Sequence, residues 1–252
     1  MARPILKVSD LRKSYNDKEV VSGVSFEVKR GETFGILGPN GAGKTTTIEM
    51  IEALRPIDGG LVVLDGIVVG DDPQMVKEII GIQLQSSSFY DRLTLVEQLR
   101  MFASFYGTKV NPLELLDEVE LRDKAKSSVE KMSGGQKQRF SIAAALVNKP
   151  RILFLDEPTT GLDPQARRHL WDLIRQIKKK GITVILTTHY LEEAELLCDR
   201  VAIMDKGKII ALDSPKNLIK DLLKRGFKKE QHVEQANLED VFIDLTGKGL
   251  RE

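Results

Sequence analysis

A glycine-rich segment that ends in a lysine and a threonine lies between an apolar run, residues 34–37, and a helical pattern. It fits the spacing G-x-x-x-x-G-K-[ST], in which backbone N–H groups and the positive end of the following helix surround a phosphate. Lys44 is expected to bridge the β- and γ-phosphates of a nucleotide, and Thr45 to place its hydroxyl on Mg²⁺. We call this segment the phosphate loop, and it consists of Gly38, Pro39, Asn40, Gly41, Ala42, Gly43, Lys44 and Thr45.

A second candidate group is a pair of carboxylates that follows four apolar residues, 152–155. A buried strand would bring Asp156 and Glu157 to the carboxyl edge of a parallel sheet, where open α/β folds bind their ligands. Asp156 is expected to hold Mg²⁺ through a metal-bound water. Glu157 is then the candidate general base for the water that attacks the γ-phosphate. Solvated turn carboxylates before Pro158 are the alternative interpretation.

Between these two segments lies the tetrapeptide Ser133-Gly134-Gly135-Gln136. Ser133 can cap a helix that begins near Gly135, and the two glycines let backbone N–H groups approach an anion closely. An ordinary capped helix is the alternative. The position of the tetrapeptide between a phosphate loop and an acidic strand end favours a role in nucleotide binding.

Together with Met132, the tetrapeptide resembles the signature of the ATP-binding cassette (ABC) family of ATPases, with Met where Leu is commoner. Both side chains are apolar and unbranched at Cβ, so we expect the change to be tolerated in packing. The resemblance covers nearly the whole chain. It implies that residues 133–136, here called the signature loop, contact the γ-phosphate of ATP held by the opposite subunit of a head-to-tail dimer. An isolated monomer should then hydrolyse ATP poorly.

The resemblance also implies roles for side chains outside these segments. Gln85 corresponds to a glutamine that senses Mg²⁺ and the attacking water, although Gln83 is a neighbouring candidate and a plain surface position is the alternative. His189, at the end of a predicted strand, corresponds to a histidine on the γ-phosphate. Tyr15 corresponds to the aromatic residue that stacks on adenine, with plain packing as the alternative. Thr46 is counted with the phosphate loop as nucleotide-binding.

Residues 161–164, Gly-Leu-Asp-Pro, resemble the family loop that joins the two sites across the dimer. Asp163 is also a plausible N-cap for the following helix, and both roles can hold at once. Arg139 follows the signature loop at a position where the family has a basic residue, and it is assigned no role from the sequence.

Short β-branched and apolar runs alternate with helical patterns along the chain, and several runs are apolar without alternation, as in strands covered on both faces. The sequence therefore predicts an α/β fold: a P-loop NTPase core with a largely parallel sheet, an N-terminal antiparallel β lobe and an inserted helical subdomain. The predicted units are an ATP-binding core at 1–88 and 149–215, a helical signature subdomain at 89–148 and a C-terminal helical tail at 216–252. Helices are predicted at 45–54, 95–106, 112–119, 136–147, 164–180 and 191–199.

Composition limits the possible partners and locations. Lys+Arg 38 against Asp+Glu 37 gives a net charge of +1, which argues against nucleic-acid binding through bulk charge. The single cysteine, Cys198, rules out an internal disulfide framework and fits a reducing compartment. No apolar run approaches the ~18 residues of a membrane span. The resemblance to ABC ATPases implies separate transmembrane permease subunits, so we expect a peripheral protein that is attached through them to the cytoplasmic face of the cell membrane.

Aromatic residues concentrate in residues 89–106, which hold five of them: Phe89, Tyr90, Phe102, Phe105 and Tyr106. The resemblance puts the groove for a permease's cytoplasmic coupling helix in this region, and an aromatic groove is a reasonable anchor for a helix. Burial inside the helical subdomain is the alternative for at least half of them. The docking hypothesis predicts that Tyr90 or a near neighbour is partly exposed in the isolated subunit.

Three hypotheses follow for the whole chain. Residues 46–51 and 237–247 resemble cassettes of the exporter branch that moves drugs, lipids and polysaccharides, so an ATPase subunit of an exporter is the first. A soluble member of the same family, such as an iron–sulfur assembly factor, is the second. The third, a P-loop kinase or GTPase, does not explain the signature loop and lacks a guanine-reading N-K-x-D motif.

Overall fold

The computed structural model describes residues 3–16, 18–83 and 89–227 of the 252-residue chain. Its strands are β1 Leu6–Tyr15, β2 Lys18–Val28, β3 Thr33–Leu37, β4 Gly59–Leu64, β5 Ile67–Val68, β6 Ile80–Gln83, β7 Ile152–Asp156, β8 Thr183–Thr188, β9 Arg200–Asp205 and β10 Lys208–Asp213. Its α-helices are α1 Lys44–Ile51, α2 Pro73–Ile79, α3 Leu95–Phe105, α4 Pro112–Glu118, α5 Gly134–Ala145, α6 Pro164–Lys179, α7 Leu191–Leu197 and α8 Pro215–Lys224. Short 3₁₀ turns lie at Arg122–Lys124 and Val129–Lys131.

Two sheets form the framework. The first has the order β2-β1-β4-β5 and is antiparallel, which confirms the predicted N-terminal β lobe. The second has the order β10-β9-β3-β8-β7-β6 and is parallel except for the β9–β10 hairpin. The prediction of a largely parallel core sheet is therefore confirmed.

The central strands β3, β7 and β8 are buried along their whole length, and their side chains alternate between two apolar cores. Phe34, Phe154 and Ile185 belong to the core that lies between the two sheets. Leu153 and Leu155 belong to the other core, which the parallel sheet shares with the helices. Coverage on both faces explains why these strands are continuous apolar runs rather than alternating ones.

The register of these strands sets the position of the candidate site. Leu37 of β3 pairs with Thr188 of β8, and Asp156 of β7 pairs with Thr187 of β8. Because parallel strands end at one edge of a sheet, the residues that follow β3, β7 and β8 meet there. The phosphate loop, the two carboxylates and His189 all leave the sheet at this edge.

Helices α3, α4 and α5 lie between β6 and β7 in the chain, as predicted for the inserted helical region. Each begins with a side chain that caps it: Thr94, Asn111 and Ser133. The chain divides into a compact unit up to Leu218 and a second unit from Ile219 onward. The domain boundaries proposed from the sequence stay a prediction. Within the described ranges, no helix has both the length and the apolar character needed to cross a membrane.

Candidate nucleotide site

Glycines give the phosphate loop its shape between β3 and α1. Gly41 and Gly43 have φ angles of 81° and 97°, in the left-handed region that favours glycine. A Cβ on Gly38 would lie 2.3 Å from the carbonyl oxygen of Met204, so this side of the loop has no room for a side chain. Because α1 begins at Lys44, the positive end of its dipole lies at the loop.

The ammonium group of Lys44 lies inside the phosphate loop. Nζ donates hydrogen bonds to the carbonyl oxygens of Gly38, at 2.9 Å, and Pro39, at 3.2 Å. It also lies 3.6 Å from Oε1 of Glu157, and the two side chains are only 5% and 11% exposed. The candidate phosphate-binding cation and the candidate general base are therefore in direct contact and largely shielded from water.

Asp156 ends β7 beside Thr187 of β8, whose hydroxyl donates a hydrogen bond to the Asp156 carboxylate. Burial raises the pKa of Asp156, and the hydrogen bond from Thr187 opposes that shift. The same hydroxyl accepts a hydrogen bond of 3.0 Å from the backbone N–H of Glu157. One threonine thus orients both acidic residues. The sequence analysis missed it because a threonine inside an apolar strand does not differ from an ordinary strand residue.

Glu157 has a left-handed backbone, with φ 46°, which is uncommon for a residue with a side chain. Its Oε2 accepts a hydrogen bond of 3.2 Å from the Thr160 hydroxyl and lies 3.2 Å from Nδ1 of His189. His189 directly follows β8, as predicted. Of the residues predicted from the sequence, the structure therefore brings Lys44, Asp156, Glu157 and His189 together.

A cavity of about 330 Å³ opens beside these groups and is lined mainly by the phosphate loop: Val20, Asn40, Gly41, Gly43, Lys44, Thr45, Thr46 and Glu157. Across the described ranges, no group of three or more His, Cys, Asp or Glu side chains is arranged to hold a metal ion. Mg²⁺ commonly uses only one or two protein ligands together with substrate phosphates. The oxygens of Thr45 and Asp156 are of the hard type that Mg²⁺ prefers, so they fit that pattern of binding.

Tyr15, the predicted adenine-stacking residue, ends β1 and is 38% exposed. Its hydroxyl accepts a hydrogen bond of 3.2 Å from Arg55, and the Lys13 Nζ lies 5.5 Å from its ring centroid. It does not line the 330 Å³ cavity. The ring is thus held at an exposed position with cations beside it, and its contact with adenine stays a prediction.

The signature loop forms the start of α5. Ser133 is its N-cap, accepting a 3.3 Å hydrogen bond from the Gln136 N–H, while the Gln136 side chain accepts a 3.0 Å bond from the Ser133 N–H. This reciprocal pair is a capping box. Ser133, Gly135 and Gln136 line a separate cavity of about 200 Å³ that shares no residue with the 330 Å³ cavity. Within one chain, the signature loop does not complete the phosphate site.

Asp163 and Arg139 anchor the helices next to the signature loop. Asp163 caps α6, because its carboxylate accepts 2.9 Å hydrogen bonds from the N–H groups of Gln165 and Ala166. This confirms the N-cap predicted for it. Arg139 donates hydrogen bonds to the carbonyl oxygens of Val119, at 3.1 Å, and Glu120, at 3.2 Å, just after α4. Arg139 therefore ties the signature helix α5 to α4.

Gln85 lies outside the described residues, and its role in sensing Mg²⁺ and water stays a prediction. Its alternative, Gln83, is buried at the end of β6.

Two buried acids were also missed by the sequence analysis. Glu52, at the C-terminal end of α1, has its pKa raised to about 8 by burial, with Asp156 and Glu49 adding to the shift. Glu193 of α7 accepts a 3.1 Å hydrogen bond from Trp171, and burial raises its pKa.

Comparisons with known proteins agree on one family. A family profile described as ABC transporter matches residues 21–160. The linearmycin resistance ATP-binding protein LnrL of Bacillus subtilis is 44% identical over 219 residues, which cover 85% of this chain and 70% of that protein. The Nod factor export ATP-binding protein I of Rhizobium etli is 41% identical over 220 residues, covering 85% and 70%.

Solved structures give the same result. The ATP binding subunit of an ABC transporter has a TM-score of 0.78 and 32% identity, covering 96% of this chain and 99% of that one. A dimeric ATP-binding cassette in a post-hydrolysis state, bound to ADP and Pi, has a TM-score of 0.75 and 27% identity, covering 83% and 98%. With a phosphate loop, an acidic strand end and a signature loop on this fold, the chain belongs to the ABC transporter family and is an ATP-binding cassette.

Proposed function

We propose that the chain hydrolyses ATP and works as the ATPase subunit of an ABC exporter. The observation that carries this proposal is the meeting of Lys44, Asp156, Glu157 and His189 at the carboxyl edge of three neighbouring buried strands. Phosphoryl transfer to water requires a cation for the phosphate, a carboxylate for the metal, and a base, here with an imidazole beside it.

The triphosphate of ATP would bind in the 330 Å³ cavity, with the phosphate loop around it and Lys44 on the β- and γ-phosphates. Lys44 reaches this position by giving up contacts with Gly38, Pro39 and Glu157, which are all within 3.6 Å of it. Thr45 and Asp156 would hold Mg²⁺, with Gln85 as a further candidate. When bound, Mg²⁺ neutralises charge on the phosphate oxygens.

In the hydrolysis step, Glu157 accepts a proton from water as the water oxygen attacks the γ-phosphorus, releasing ADP and phosphate. His189, 3.2 Å from the Glu157 carboxylate, can orient it and contact the γ-phosphate. Thr187 holds the Glu157 backbone in place through its 3.0 Å hydrogen bond. Because Glu157 and His189 directly follow buried strands, the candidate base and its neighbouring imidazole are already close together before nucleotide binds.

The complete site would contain two chains. The signature loop lines a cavity separate from the phosphate site of its own chain, which supports a role at the site of a partner. The exposed start of α5 presents backbone N–H groups and the positive end of a helix dipole, both suited to a γ-phosphate. The dimeric cassette structure similar to this chain also supports the pairing of two cassettes.

The aromatic residues of 89–106 support docking of a permease. Tyr90, Phe105 and Tyr106 are 55%, 71% and 48% exposed, so the prediction that part of this cluster is exposed is confirmed. Phe89, Phe102, Phe105 and Tyr106 line a cavity of about 620 Å³. Such an apolar groove suits the coupling helix of a transmembrane subunit. The cassette would then lie on the cytoplasmic face of the membrane without crossing it.

The proposed direction of transport is inferred from the names of the relatives. Those described above are named for Nod factor export and for linearmycin resistance. These names favour an exporter over a soluble iron–sulfur assembly factor, the second hypothesis from the sequence. The C-terminal residues 237–247, which contributed to the exporter prediction, lie outside the described residues.

The test uses the full chain with Glu157→Gln, which keeps the size of the side chain but removes the base. With ATP and Mg²⁺, light scattering should detect a dimer that does not form with ADP, because bound ATP is no longer consumed. The control is E157Q combined with Lys44→Ala, which should stay monomeric because the triphosphate is not held. A monomer of E157Q that binds ATP tightly would refute the shared site, and so would wild-type turnover strictly first-order in protein at every dilution.

A further inference from the structure

The two signature glycines are not explained by their own backbone angles. Gly134 and Gly135 lie in α5, and neither has a positive φ. Glycine weakens a helix relative to alanine, because it loses more backbone freedom on folding. If glycine is required at either position, the reason is therefore a lack of space for a side chain rather than an unusual backbone conformation.

The space available for a Cβ differs between the two positions. A Cβ built on Gly135 would lie 2.9 Å from the Cβ of Ala166 in α6 and 3.9 Å from its Cα. Two carbon atoms at 2.9 Å overlap, and neither alanine methyl group could rotate away. A Cβ on Gly134 would meet only the Leu162 side chain, at 4.0 Å, which is an ordinary contact.

We propose that Gly135 is required because α5 packs against Ala166 of the same subunit, and that Ala166 is a positioning residue for the signature loop. This inference rests on the proposed function, since it concerns the loop that would reach the partner's nucleotide. The contact lies next to the cap of α6, where the Ala166 N–H donates its 2.9 Å hydrogen bond to Asp163.

The contact links two loops of one chain. Ser133 and Gln136 from the signature loop line the same 200 Å³ cavity as Asp163 and Ala166 from the start of α6. A methyl group at position 135 would push the start of α5 away from α6 and change the position of Ser133 relative to Asp163. By contrast, Gly134 has free space on its own chain, so a requirement for glycine there has to come from outside the subunit.

The experiment is a rescue in the E157Q background, comparing Gly135→Ala, Ala166→Gly and the double variant. G135A should weaken the ATP-dependent dimer by about tenfold or more, as expected for an overpacked contact. Its monomer should still bind a fluorescent ATP analogue with unchanged affinity, since the phosphate loop is untouched. The double variant should recover most of the dimer affinity, because removing the Ala166 methyl group makes room for the new one.

Gly134→Ala, with and without A166G, is the matched control. Any loss of dimer affinity in G134A should not be recovered by A166G, because Gly134 does not face Ala166. Thermal unfolding of the nucleotide-free monomers gives a second readout that does not depend on ATP. The melting temperature should fall when Gly135→Ala is introduced into the parent. It should not fall when the same substitution is introduced into A166G.

The proposal is overturned if the double variant dimerises as poorly as G135A, or if G135A dimerises like its parent. If G135A does not fold, recovery of a folded, ATP-binding monomer by A166G supports the proposal, and no recovery overturns it. If the E157Q parent itself does not dimerise, the proposed function fails, and the unfolding comparison still decides whether Gly135 and Ala166 are in steric contact.

Discussion

Replacing Glu52 by glutamine is expected to stabilise the protein, and increasingly so as the pH rises. Glu52 is 2% exposed and lies at the C-terminal end of α1. Burial raises its pKa from 4.5 to about 8, and the charges of Asp156 and Glu49 add to the shift. The C-terminal end of a helix also disfavours a negative charge. Folding therefore favours the neutral carboxyl, whereas the unfolded chain ionises it.

The sign and size of the pH effect on the free energy of unfolding follow from proton linkage. The folded-state pKa is raised, so the stabilising contribution is complete below pH 4.5 and is lost as the pH rises to about 8. One pKa unit corresponds to about 1.4 kcal/mol, so the loss reaches about 3 kcal/mol at pH 7 and about 5 kcal/mol above pH 8. Glutamine has no proton to lose, and Glu52→Gln should avoid this loss.

The assay is urea unfolding of E52Q and wild type at several values between pH 5 and pH 8.5, followed through the fluorescence of Trp171, the single tryptophan of the chain. The difference in unfolding free energy should be small at pH 5 and grow with pH. Glu195→Gln, an exposed position on α7, is the matched control and should follow wild type. A difference independent of pH, or an E52Q protein less stable than wild type at pH 8, would refute the reasoning.

Substitutions at three further positions test contacts between separate segments of the fold and a helix cap. Asp65→Asn should cost about 2 kcal/mol at pH 7, because Asp65 is nearly buried between Arg30 and Arg151. Those two hydrogen bonds lower its pKa despite burial, so the cost measured by urea unfolding should shrink as the pH falls below 3.8. Arg139→Ala should reduce stability by about 1–3 kcal/mol in the same assay, since α5 loses its hydrogen bonds to the end of α4. Asp163→Ala should cost about 1 kcal/mol through loss of the α6 cap, and Asp163→Ser should restore most of it.

Local patterns in the sequence were sufficient for the parts of the site that are contiguous in the chain. The phosphate loop was predicted because its glycines, lysine and threonine occur in one run between a strand and a helix. The caps Ser133 and Asp163 were also predictable, because a capping side chain bonds to N–H groups two or three residues away. In such cases the residues that interact are close in sequence.

Contacts between distant segments were not predictable in the same way. Thr187 meets Asp156 only because β7 and β8 pair in one particular register. Asp65 meets Arg151 across 86 positions, and Gly135 meets Ala166 through the packing of two helices. The sequence analysis also assigned no elements to α2 and β10, which are seven and six residues long. Val76 is the only buried residue of α2, and β10 has no buried residue, so little hydrophobic pattern marks either element in the sequence.

The register of β7 against β8 has a consequence for the chemistry of the whole site. Thr187 donates to the Asp156 carboxylate and accepts from the Glu157 N–H, so its position fixes both acidic residues. Glu157 needs this support, because its left-handed backbone, with φ 46°, is unfavourable for a residue with a side chain. A shift of one residue in register would turn Thr187 to the opposite face of the sheet and remove both hydrogen bonds. The apolar side chains that lock this register, such as Phe154 and Ile185, therefore act on the geometry of Asp156 and Glu157, the candidate catalytic carboxylates, although they lie in the core away from the candidate nucleotide site.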